Sequence, residues 1–331
     1  MVSIADLEEL LSRPSAADID ELAHLDGDIL CLGAGGKMGP TLVRRALRAS
    51  RESGRKGDII GVSRSGEFPE GVRHIAADLL DPAAVQRLPQ APNVIYLVGR
   101  KFGSTDNEPL TWATNAAVPV LVAGRYAGAR IVVLSTGNVY PYVPGDSAGA
   151  TEATPLAPVG EYAQSALARE RLFEYYSKTH QTRMAIIRLN YAVEPRYGVL
   201  VDIATKILRR TPIDLTTGYV NIIWQGDASS VCLRALNYCE SPPRVINVTG
   251  SETHSVRQLA QRIGQQLGLD PTFSGQEAAT ALLSDASECL RLFGAPSVGV
   301  DEAIRRTVDW LVAGGVTLGK ATHFEVRSGK F

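Results

Sequence analysis

The stretch Asp28-Ile29-Leu30-Cys31-Leu32-Gly33-Ala34-Gly35-Gly36-Lys37-Met38-Gly39 decides the fold. Its apolar first half reads as a short strand buried on both faces. Gly33, Gly36 and Gly39 follow at G-x-x-G-x-x-G spacing, and the run Thr41-Ala49 after them reads as a helix. Strand, glycine turn and helix in that order form a cradle for a pyrophosphate. Glycine lets the backbone turn tightly and come close, while amide hydrogens and the positive helix end meet the negative charge.

Outward from this stretch, short apolar runs alternate with amphipathic ones, the pattern of a parallel sheet covered on both faces. The predicted strands are Asp28-Leu32, Asp58-Ser63, Val72-Ala76, Val94-Val98, Arg130-Ser135 and Met184-Leu189. Val220-Trp224 and Val245-Val248 read as strands that rejoin or border the sheet. Pro141 to Pro158 reads as a loop, Glu161 to Thr179 as a helix, and Tyr191 to Val220 as loop, helix and short strand. Ser255 to Gly268 and Val300 to Val312 read as helices. The fold class is therefore α/β, a doubly wound, mostly parallel sheet with a smaller C-terminal substrate lobe. The expected division is a helical extension over 1–27 and a dinucleotide-binding domain over 28–190 plus about 220–248. A substrate lobe covers 191–219 plus 249–320, and a polar tail, mobile or packed on a partner, covers 321–331.

Bulk properties exclude several functions. The net charge of -1 gives no electrostatic reason for a nucleic-acid partner, which leaves a small molecule as the expected one. The four cysteines, Cys31, Cys232, Cys239 and Cys289, form no C-x-x-C pair, so neither a disulfide framework nor a zinc knuckle is indicated. Met1 to Leu11 carries Asp6, Glu8 and Glu9, reads as an amphipathic helix and lacks the pattern of a secretory signal. No apolar run reaches the roughly 20 residues that cross a bilayer. A cytoplasmic protein with no membrane partner is expected. The five histidines show no ligand spacing, so no metal is expected, and no G-x-S-x-G elbow marks a hydrolase.

At the end of the second strand, where a carboxylate would take the ribose hydroxyls of NAD, stand Ser63 and Arg64. An arginine there suits a 2'-phosphate, and Lys37 in the loop would add a second cation. NADP is accordingly favoured over NAD, although Arg64 reads equally as a solvated loop residue. Asp78 is placed either to bind the adenine amino group or to cap the helix that follows Pro82.

Gly33-x-x-Gly36-x-x-Gly39, Ala77-Asp78-Leu79-Leu80-Asp81, Asn115, Leu134-Ser135-Thr136-Gly137-Asn138-Val139-Tyr140, Tyr162 and Arg188-Leu189-Asn190 together resemble the NAD-dependent epimerase/dehydratase family, the extended short-chain dehydrogenase/reductases with a Rossmann fold. The resemblance spans roughly Asp28 to Val248. It implies that Thr136 binds the reacting hydroxyl or carbonyl and that Tyr162 carries the proton. It further implies cofactor contacts from Met38, Ser63, Leu79, Val98, Gly99, Arg100, Asn115 and Tyr162, and a homodimer packed through the helix of Tyr162.

A phenol with an ordinary pKa of about 10 is a poor base at neutral pH, and the family answers this with a lysine one helical turn on. Here that position is Ala166. Lys101 is the preferred substitute cation because it follows the fourth strand at the end where the crevice of such sheets lies, with Arg100 beside it and Arg169 ranked below. Gly137 and Asn138 replace the Asp-Glu pair of the dehydratases, which disfavours sugar dehydration. Asn138, Asn190, Arg196 and Trp224 are the expected substrate contacts, with core packing the alternative role of Trp224. Two functions stay open: an oxidoreductase or epimerase acting on a sugar-like metabolite, and a dinucleotide-binding sensor or scaffold without turnover, which the missing lysine keeps in play.

Overall fold

The computed structural model describes residues 3–101, 103 and 106–330. Seven parallel strands form the central sheet: β1 (Ile29–Leu32), β2 (Ile59–Ser63), β3 (Val72–Ala76), β4 (Asn93–Tyr96), β5 (Arg130–Thr136), β6 (Met184–Leu189) and β7 (Arg244–Val248). Their order across the sheet is β7-β6-β5-β4-β1-β2-β3. All of β1, β2 and β4 is buried, as expected for strands sandwiched between two helical layers, whereas the edge strand β3 is half-exposed. The order reverses between β1 and β4. That switch point opens a crevice beyond the carboxyl ends of the strands, which is where such sheets bind ligands.

The Val220-Trp224 expectation is corrected. Tyr219–Val220 and Ile223–Trp224 are two short pieces outside the main sheet, pairing with His254–Ser255 and Ala192–Val193. Only the later strand, β7, rejoins the sheet, against β6. The single leading helix is also corrected. Two helices, α1 (Ile4–Ser12) and α2 (Ala16–Ala23), stand there, each started by a serine capping box, Ser3 with Asp6 and Ser15 with Asp18. Met1 and Val2, at the start of the expected helix, lie outside the described residues.

Two packing units follow from where the apolar side chains go. Leu22 and Leu25 join the sheet's core, whereas Leu7 and Leu11 join a second core built by Val199–Leu208, Val256–Leu267 and Val300–Val312. The polar tail is packed on its own chain. Phe324 is buried in the second core, the Thr322 amide and hydroxyl both donate to the Asp202 carboxylate, and Arg327 stacks on Tyr142 at 3.9 Å while donating to Thr280.

Candidate active-site crevice

The glycine loop divides its work by position. Gly33 sits at φ +82, a conformation costly for any side chain, and makes the turn out of β1. At Gly39 a Cβ would lie 2.1 Å from the Ala34 carbonyl oxygen, so this glycine brings the following helix, α3 (Gly39–Glu52), against the loop. Gly36 differs from both: a Cβ there would meet only the Gly33 oxygen, at 3.2 Å, and its other side faces the open crevice. The loop thus presents an open face at Gly36 to the crevice. The crevice it borders encloses about 630 Å³.

Thr136, at the end of β5, and Tyr162, in the helix Gly160–His180, both line this crevice, together with Lys101 and Asn138. Asn138 donates to Thr136 Oγ1 through its backbone amide and its side chain, both at 3.2 Å, which fixes the hydroxyl's orientation. Lys101 Nζ lies 6.0 Å from the centre of the Tyr162 ring and donates to the Thr322 carbonyl oxygen at 3.1 Å. Burial pulls its pKa down to about 8, against the opposing pull of Asp202 and Glu325. Ala166 is fully buried with Val139, Tyr140 and Ala150, in an apolar cluster behind the tyrosine.

Arg169 is closer to the reacting end than its sequence spacing implies. Its guanidinium lines the crevice, donating to Asn115 Oδ1 at 2.9 Å and to the Leu134 carbonyl oxygen at 2.7 Å. Gly99 makes room for it, since a Cβ there would stand 2.8 Å from an Arg169 nitrogen. Asn115, expected at the cofactor, is instead saturated by protein groups. Its oxygen accepts from the Arg100 amide and Arg169, and its nitrogen donates to the Arg100 carbonyl and to Ser165 Oγ. It staples the loop after β4 to the helix of Tyr162. The Arg100 side chain turns back onto the Gly103 carbonyl of its own loop and does not line the crevice. Val98 packs against Gly33 and the sheet's core.

Behind β5 lies a buried polar network. Arg188 and Glu170 pair at 2.7 Å with both side chains nearly inaccessible, Ser135 Oγ donates to Glu170, and Arg188 donates to Tyr140 Oη, which donates in turn to Asn247. This network fixes the strand end that carries Thr136.

The opposite wall is built by Asn190 to Gly198 and by both ends of the chain. Arg196 pairs with Glu194 at 2.9 Å and with Glu8 of α1 at 2.6 Å. Asn190 donates to Asn221 and to the Leu282 carbonyl. Lys37 leaves the glycine loop toward this wall: Nζ donates to the Ala192 carbonyl at 3.0 Å and lies 3.6 Å from the centre of the Tyr197 ring. The second cation expected beside Arg64 for a 2'-phosphate thus stands at the Ala192 wall instead. Burial brings its pKa down to about 7, opposed by Glu194 and reinforced by the positive charges of Lys101 and Arg196.

At the other end of the cradle, Ser63 is buried and bonded to the Ser65 carbonyl and His74, Arg64 is exposed, and Ser65 closes against Gly35. Asp78 is exposed and accepts from the Leu80 amide, while Asp81 is the residue that caps the helix Pro82–Arg87. Leu79 is buried in the sheet's core, and Met38 precedes α3 as its buried N-cap residue. Trp224 takes the core-packing role and not that of a substrate contact. It is buried in the second core beneath Arg306 and lies outside the crevice. Sequence reasoning missed Glu8, Glu194, Lys320 and Thr322 on the crevice wall, for which no local motif speaks.

Solved structures share this architecture. The UDP-glucose 4-epimerase of Thermus thermophilus in complex with NAD superposes with a TM-score of 0.71 at 22% identity, covering 85% of this chain and 98% of that one. The UDP-glucuronic acid 4-epimerase of Bacillus cereus in complex with NAD gives 0.72 at 19%, covering 86% and 99%, and Pal of Bacillus thuringiensis gives 0.73 at 17%, covering 86% and 99%. At such identities the likeness establishes the fold. No curated protein matches by sequence. The sequence profile of one family, however, matches residues 29–249, which hold the glycine loop, Thr136, Tyr162 and the whole central sheet. The chain belongs to the NAD dependent epimerase/dehydratase family.

Proposed function

We propose that this protein is a nicotinamide-dinucleotide-dependent oxidoreductase of the epimerase type, acting on a secondary alcohol of a sugar-like metabolite. The observation that carries this reading is the meeting of Thr136, Tyr162 and Lys101 in one crevice with the open face of Gly36. Epimerases of the same fold that hold NAD support the choice of cofactor class. The residues present fit such a cofactor, because a Gly36 side chain would fill space that the loop leaves free and Lys37 brings a cation to its rim.

When bound, the nicotinamide supplies the acceptor for a hydride. Thr136 Oγ1, held by Asn138, orients the substrate oxygen, and the Tyr162 phenolate oxygen accepts its proton, leaving a carbonyl at the substrate carbon. Lys101 places a positive charge near the negative phenolate that takes this proton. Arg169, pinned to Asn115 and Leu134, supplies a second fixed cation at the same end. The two together stand in for the lysine that Ala166 lacks.

Between the two dinucleotides, NADP is the proposed partner, because exposed Arg64 stands at the end of β2 where no carboxylate repels a 2'-phosphate. Calorimetric titration should show NADP binding more tightly than NAD, and Arg64→Ala should erase that preference, a loss of about tenfold for one exposed charge-assisted contact. Equal affinities in the unaltered protein would assign the site to NAD.

A further inference from the structure

The relatives of known structure are almost fully covered by this chain, yet they match only 85% and 86% of it. The family profile begins at residue 29 and ends at residue 249. Glu8, Leu318, Lys320 and Thr322 lie outside that span and nevertheless line the crevice. Both ends of this chain are therefore parts of the site wall.

The wall they build is closed by internal bonds. Glu8 and Glu194 hold Arg196 between them, and the Leu318 amide donates to the Arg196 carbonyl at 2.9 Å. Thr322 is fastened to Asp202 through two hydrogen bonds and receives Lys101 Nζ on its carbonyl. Arg327 locks the segment beyond it onto Thr280 and Tyr142. Asn190 is likewise engaged, by Asn221 and Leu282. Groups placed to meet the outer part of a long substrate are thus committed to the protein itself.

Within the walled space the charges are unequal. The two lining carboxylates, Glu8 and Glu194, are both turned onto Arg196. Lys37 and Lys101 both line the crevice, Lys37 feeling the charges of Lys101, Glu194, Arg196 and Asp202, and Lys101 those of Asp202 and Glu325. Lys37 has a carbonyl and an aromatic face as its partners, groups weaker than a carboxylate. Two half-buried ammonium groups held near each other in an open crevice form an anion site.

We propose that the substrate is a compact polyol carrying its own anionic group, a carboxylate or a phosphate monoester, held by Lys37 and Lys101 beside Tyr162, and that the two chain ends exclude nucleotide sugars. This inference rests on the oxidoreductase reading for the identity of the reacting end. Anion binding favours the charged lysines. Affinity should therefore fall as pH rises from about 7 through about 8, the range in which the ligand-free lysines lose their protons.

The test is calorimetric titration of the protein saturated with NADP, using D-gluconate, glucose 6-phosphate, glucose and UDP-glucose as probes. Gluconate or glucose 6-phosphate should bind at least tenfold more tightly than glucose and UDP-glucose, and which of the two wins identifies the anion. That affinity should drop between pH 6.5 and pH 9 and fall at least tenfold in both Lys37→Met and Lys101→Met. Tight binding of UDP-glucose, absence of saturable anion binding at millimolar concentration, or anion binding indifferent to pH and to both substitutions would overturn the proposal. Conversion is followed separately by product analysis: anion binding with no conversion would contradict the oxidoreductase reading alone, and conversion of UDP-glucose would contradict this inference alone.

Discussion

Tyr162→Phe is expected to lower turnover by about 10²–10⁴-fold, the usual contribution of a positioned proton carrier, with dinucleotide affinity unchanged. The substitution removes one hydroxyl and keeps the ring near Lys101, so the helix Gly160–His180 and the staple through Asn115, Ser165 and Arg169 stay in place. Substrate conversion assayed with sugar acids, sugar phosphates, polyols and nucleotide sugars checks it. A dinucleotide sensor would behave otherwise: Tyr162→Phe would alter nothing beyond about 1 kcal/mol of stability. Undiminished activity in the variant would remove Tyr162 from its assigned role.

Glu170→Ala should cost about 3–5 kcal/mol of stability, because it leaves the Arg188 guanidinium buried without its countercharge. Arg188 and Glu170 expose only 5% and 3% of their side chains, so water cannot replace the lost partner. Ser135 loses its acceptor in the same step. Urea unfolding monitored by circular dichroism measures the loss. Replacing both members, as Glu170→Leu with Arg188→Met, should recover most of it, since no unpaired charge then remains. A single variant as stable as the unaltered protein would show that the network contributes nothing to holding the end of β5.

The central sheet was legible because most of its strands are short, buried and bounded by turns, so β1, β2 and β6 fall where the apolar runs lie. The glycine loop was legible because backbone geometry calls for glycine at Gly33, through its positive φ, and at Gly39, through the close approach of the Ala34 carbonyl. Side-chain direction was not. Lys37 reads as a second cation beside Arg64 for a 2'-phosphate, yet its ammonium reaches Ala192, a partner set by the fold and 155 positions away. Asn115 carries the family's asparagine, but nothing local shows that Arg100, Ser165 and Arg169 saturate it. The tail looked unattached because its composition is polar, and one buried aromatic, Phe324, with two arms at Thr322 and Arg327 suffices to pin it. Asp81 as the helix cap was within reach of the sequence, since Pro82 directly after it marks the first helical position.

The claim on which the rest depends is that the glycine loop seats the dinucleotide. Titration of NADP and NAD into the protein and into Gly36→Val tests it most directly. Gly36 has no positive φ and a Cβ there meets only the Gly33 oxygen, at 3.2 Å, so the valine asks for a shift of a few tenths of an ångström in the loop and takes up space at the crevice face. The prediction is saturable binding by the unaltered protein and at least a tenfold loss in Gly36→Val with an unchanged circular dichroism spectrum. Undiminished binding by a natively folded Gly36→Val would place the dinucleotide elsewhere and contradict the account.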